Sequence, residues 1–70
     1  MSIAAAPDFY AFKLELPDGR WNVDEKRLPE RPRVGEIVEF GAWWQVRGVQ
    51  RVRTPVRRKP DRELFVCKLL

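Results

Sequence analysis

Trp43-Trp44-Gln45-Val46-Arg47-Gly48-Val49-Gln50-Arg51-Val52-Arg53 is the stretch whose reading decides the fold. Read as a β-strand, its successive side chains point to opposite faces. One face carries Trp44, Val46, Gly48, Gln50 and Val52, a set that suits a small core with Gln50 near a wet rim. The other carries Trp43, Gln45, Arg47, Val49, Arg51 and Arg53, an indole followed by a file of guanidinium groups that leads into Arg57-Arg58-Lys59. Gly48 marks a bend or bulge, as small barrels need where a strand curls. A bulge would reverse the parity beyond it and turn Val49, Arg51 and Arg53 inward. Burying two unpaired arginines is costly, so the stretch predicts unbroken parity.

The neighbouring segments read the same way. Phe9 to Leu16 alternates, with Tyr10, Phe12, Leu14 and Leu16 on one face and Ala11, Lys13 and Glu15 on the other. Pro17-Asp18-Gly19-Arg20 is a turn, because proline presets φ and glycine accepts a positive one. Trp21 to Val23 returns as a short strand and closes a hairpin. Asp24 to Arg33 is charged and holds Pro29 and Pro32, so it reads as a wrapping loop tacked to the core by Leu28. Val34 to Phe40 is the next strand, and Gly41-Ala42 is the tight connection to the strand that begins at Trp43. Thr54 to Arg62 is a loop with the basic tip Arg57-Arg58-Lys59. Glu63 to Leu69 is the last strand. It is apolar on both faces, which places it centrally or under a cover. Residues 1–7 read as a loose tail and 8–70 as one domain.

Five short strands without a helix predict an all-β domain: a small five-stranded barrel, or a curled antiparallel sheet, with an N-terminal hairpin. From Arg33 onward the chain resembles SH3-like small β-barrels. The residues that carry the likeness are Val34-Gly35-Glu36-Ile37-Val38-Glu39-Phe40, Trp44-Gln45-Val46 and the late apolar strand Leu64 to Leu69. Such barrels include nucleic-acid binders, peptide binders and structural modules, so the likeness does not select a function.

Composition narrows the function further. The chain has 70 residues and a net charge of +4. Residues 1–42 hold six basic and eight acidic groups, whereas residues 43–70 hold eight basic and two acidic groups. The C-terminal part therefore attracts anionic partners. The three tryptophans, four phenylalanines and one tyrosine supply the large rings a short chain needs for a core, and Trp21, Trp44, Phe12, Phe40 and Phe65 are assigned to it. Cys67 is the sole cysteine and lies in an apolar run, which suits a small buried hydrophobe. There is no histidine, Ser2 and Thr54 are the sole hydroxyl amino acids besides Tyr10, and the four glycines are isolated. The usual catalytic sets, metal sites and phosphate loops are thus missing, and the chain reads as a non-enzyme without a cofactor. It lacks a signal-peptide pattern and a membrane-length apolar run. A soluble cytoplasmic protein that engages no membrane and no small-molecule substrate is expected.

The expected function is a binding module for nucleic acid. Trp43 would stack on a base while Arg47, Arg51, Arg53, Arg57, Arg58, Lys59 and Arg62 meet the backbone or an acidic partner. The alternative is a protein-interaction or self-assembly module that uses the same face or an open strand edge. A plain structural reading stands beside both: Trp43 packs on the loop 24–33 or the tail, and Glu15, Glu36 and Glu39 pair with solvated arginines.

Overall fold

A computed structural model describes residues 8–53 and 62–70. The tail 1–7 and the loop tip Arg57-Arg58-Lys59 lie outside the described residues. The chain is all-β. Five strands, β1 (Asp8–Glu15), β2 (Trp21–Leu28), β3 (Ile37–Glu39), β4 (Trp43–Val52) and β5 (Arg62–Leu69), form one sheet in the order β2-β1-β5-β4-β3. The sheet curls into a half-barrel, an SH3-like small-barrel architecture at the level of fold. β1 and β2 make the N-terminal hairpin. β1 and β5 run parallel, and the other pairs are antiparallel. As the two apolar faces of Glu63 to Leu69 implied, β5 is the central strand.

Glycine makes two of the connections possible. Gly19 (φ 92°) donates to the Leu16 carbonyl at 3.0 Å and reverses the β1–β2 hairpin. Gly41 (φ 71°) stands where the Phe40 amide reaches the Ala42 carbonyl at 2.9 Å, which turns β3 into β4.

The inner face holds the core. Phe12 and Leu14 of β1, Val38 of β3, Trp44 and Val46 of β4, and Phe65 and Cys67 of β5 form one buried cluster. Register explains the set, since side chains of paired residues share a face. Phe12 pairs with Phe65 and Leu14 with Cys67; Val46 pairs with Cys67 and Val38 with Trp44. The Phe12 ring centroid lies 5.7 Å from that of Phe65 and 5.1 Å from that of Phe40, within the range of favourable tilted aromatic contacts. Trp44 donates its indole N–H to the Phe40 carbonyl at 3.3 Å. Cys67 is fully buried, and burial pushes its thiol up to about 11. That is the inert small hydrophobe expected of it.

The open side of the half-barrel is bridged by side chains. Lys26 of β2 donates to the Glu39 carbonyl of β3 at 2.9 Å, and its ammonium stands 5.2 Å from the Phe40 ring centroid. The two edge strands therefore meet through one lysine rather than through a backbone ladder. The segment from Pro29 to Glu36 crosses from one edge to the other. Arg31 in it lies 5.1 Å from the Phe65 ring centroid, and Leu28 packs on the core as expected. No helix among the described residues is long and apolar enough to cross a membrane.

Four sequence expectations are corrected. The returning strand extends from Trp21 to Leu28 instead of stopping at Val23. Its ladder with β1 satisfies the backbone, and its charged side chains are tolerable because β2 is an edge. The third strand is limited to Ile37–Glu39, because Val34-Gly35 forms a turn with Gly35 at φ 95°. Trp21 is not in the core: it is 58% exposed, because it pairs with Glu15 on the outer face of β1. The parity of β4 does break. Val46 pairs with Cys67 and Gly48 with Val66, so Arg47 is the surplus residue of a β-bulge.

Candidate binding face

The bulge divides the arginine file. Up to Arg47 the expected face survives: the Arg47 guanidinium donates to the Gln45 side-chain oxygen at 3.4 Å, so the two lie together on the outer surface. Beyond it the faces exchange. Val49 pairs with Phe65 and Arg51 with Glu63, which puts both on the inner side, whereas Gln50 and Val52 turn outward beside Leu64 and Arg62. The feared cost does not arise, because Val49, Arg51 and Arg53 all stay exposed. The outward Gln50 accepts from the Lys13 ammonium at 3.4 Å.

The expected site residues therefore occupy different places. Trp43 and Arg47 share the outer face of β4. Arg62 opens β5 on the same face and donates to Glu25 at 2.7 Å. Arg51 lies on the inner face, and Arg53 follows the end of β4. Glu25 and Glu63, the carboxylates that hold Arg62 and Arg31, were not among the pairing partners the sequence suggested, because strand order was needed to bring them near.

Register lays out the outer face in rows. Trp21 of β2 is level with Glu15 of β1, then Lys68 of β5, Gln45 of β4 and Ile37 of β3. Trp43 stands two residues from Gln45 along β4. Three inter-strand steps and one strand repeat separate the two positions along the curled sheet, so the indoles stand on different sectors of its convex outer surface. Trp43 is 59% exposed; the tail, one of the two covers its structural alternative named, lies outside the described residues. Glu15 holds two cations, Lys68 at 3.1 Å and Lys13 at 3.8 Å. The outer face thus carries two exposed indoles, with Glu15 and the two lysines it holds lying between them.

A second charged group lies at the inner mouth. Arg31 forks onto Glu63 with contacts of 3.2 and 2.5 Å. These hydrogen bonds to Arg31 hold the Glu63 carboxyl below its ordinary range, with Arg51 adding to the effect, and they raise Arg31 in turn. A cleft of about 440 Å³ opens here, lined in part by Phe9, Tyr10 and Phe65. Among the described residues the arginines that line it, Arg31 and Arg62, are held by carboxylates, and the Arg31–Glu63 pair reads as a latch that ties the crossing segment to β5. A group whose folded pKa is depressed stabilises above its unfolded pKa and loses that contribution as pH falls through the folded value. Glu63→Gln is therefore expected to lower the urea midpoint at neutral pH, and the difference from the parent protein should vanish in acid below the Glu63 titration. A deficit equally large in acid would show that the carboxylate charge is not what the latch uses.

Among the described residues no group of three His, Cys, Asp or Glu side chains is placed to hold a metal ion. No protein-family model matches the chain, and no curated protein or solved structure matches it significantly.

Proposed function

We propose that this chain is a non-catalytic binding module that receives nucleic acid on the outer face of its sheet. The observation that carries this reading is Trp43: a large indole that the core does not claim, with Arg47 on the same face and strand. Exposed aromatics stack on bases without regard to sequence, while arginines and lysines meet phosphates. The excess of positive charge after residue 42 supplies long-range attraction. Anisotropy titrations at low salt against labelled DNA and RNA are expected to show binding that weakens as salt rises. Absence of binding to every oligonucleotide at low salt would end this reading.

The basic tip contributes through charge. Replacing Arg57, Arg58 and Lys59 together by alanine is expected to weaken binding and to flatten the slope of log K against log salt by up to about 2, the value for three single-strand phosphate contacts. An unchanged slope would remove the tip from the interface.

One observation favours a protein partner or a second copy instead. On the outer face Lys13, Lys68 and Arg62 already meet carboxylates, and Phe9, Ile37 and Val52 are exposed on that same face. Exposed apolar area of this kind also marks protein interfaces. A mass by size exclusion that stays dimeric at both low and high salt, with Trp43 shielded from quencher, would favour that reading.

A further inference from the structure

We infer that the outer face takes unpaired, single-stranded nucleic acid, and that Trp21 is a second stacking platform alongside Trp43. The inference rests on the nucleic-acid reading above and specifies the form of the ligand. Its first support is the posture of Trp21. The Lys13 ammonium lies 4.7 Å from the indole centroid, and the Lys13 side chain is only 17% exposed. Trp21 itself is more than half exposed. The lysine therefore stands against one side of the ring while much of the indole remains open to solvent. A cation under an aromatic face adds attraction and orients the ring. A ring already oriented loses little freedom when a base stacks on it.

The second support is shape. Both indoles belong to the convex outer face of one sheet curled into a half-barrel, three strand steps apart. A duplex has a persistence length of about 50 nm and does not wrap so small a convex surface, whereas a single strand can follow it. Indoles spread over a sheet reach the flat faces of bases when those bases are not stacked within a duplex, which is how sheet surfaces read single strands.

The third support is charge. Between and beside the indoles stand Lys13, Lys68 and Arg47 against Glu15 and Glu39, a strip positive by one charge. Glu15 serves two ammoniums at once, so either lysine can exchange its share of the carboxylate for a phosphate while the other stays paired. Arg47 contacts a neutral amide and has no ion pair among the described residues.

The test compares parent, Trp21→Ala and Trp21→Phe by anisotropy against a labelled oligothymidylate and a duplex of equal length at low salt. Trp21→Ala should weaken single-strand binding by about 5- to 150-fold, the range for loss of one stacked base. Its salt slope should be unchanged, because no phosphate contact is removed, and Trp21→Phe should restore most of the affinity. Thermal unfolding should show the alanine variant to be folded, as expected for an exposed position. Duplex binding as tight as single-strand binding, or a Trp21→Ala protein that binds as the parent does, would overturn this inference and leave the broader nucleic-acid reading intact. Failure of the parent protein to bind either oligonucleotide would overturn both.

Discussion

Replacing Trp44 by alanine is expected to cost about 3–5 kcal/mol of stability, whereas the same change at the adjacent Trp43 costs about 1 kcal/mol or less. Trp44 is only 6% exposed and fills the core between Val38 and Phe40. Its removal leaves a cavity and also strips the Phe40 carbonyl of its indole donor. Trp43 is mostly in solvent, so its truncation loses little packing. A domain of this length has about 4–10 kcal/mol in total, and Trp44→Ala therefore removes roughly a third of it or more. Urea unfolding followed by far-UV circular dichroism measures both variants. Acrylamide quenching gives an independent check, because the emission lost with Trp43 should be the more accessible. Equal destabilisation by the two substitutions would mean that the adjacent indoles do not lie on opposite faces, and the outer binding face would fall with that result.

Phe65→Ala is the second large effect, again about 3–5 kcal/mol. Phe65 is 1% exposed on the central strand and is the ring on which several elements converge. Tyr10 meets it edge-on at 5.9 Å and Phe12 lies tilted at 5.7 Å, both from β1. Arg31 reaches it from the crossing segment. For a domain of this size each kcal/mol is worth about 4–8 °C, so the melting temperature should fall by more than about 12 °C. Phe65→Leu keeps most of the volume and should lose clearly less. Because Arg31 rests on this ring while it holds Glu63, Phe65→Ala and Glu63→Gln share a partner and should not add in a double-mutant cycle. Strict additivity would separate the ring from the latch.

The strand count and most of the core were legible before any coordinates. Phe12, Leu14, Trp44, Val46, Phe65 and Cys67 sit in segments of regular alternation or continuous apolar run, and alternation reports a half-buried strand whatever its neighbours are. The turn at Gly19 was legible for a local reason, since a positive φ there needs glycine. β2 was cut short in the sequence reading because Asp24 to Leu28 has no apolar alternation. An edge strand needs none, as its backbone is satisfied by β1 and its side chains by water. Trp21 was misplaced for a related cause: a tryptophan in a small domain is usually core, and nothing local reveals that its partner on β1 is the outward Glu15.

What the sequence by itself determined is the all-β class, the burial of both faces of the last strand and the mutual opposition of Trp43 and Trp44, because each follows from side-chain period and backbone sterics within a few residues. What only the tertiary structure decided is which groups share the outer face. The surplus residue at Arg47 sends Arg51 to the inner side and Gln50 to the outer, and the order β2-β1-β5-β4-β3 brings Trp21 onto the same surface as Trp43. Register and strand order are properties of pairing between distant segments. A one-residue shift reverses every side chain beyond it, and no local propensity records that shift.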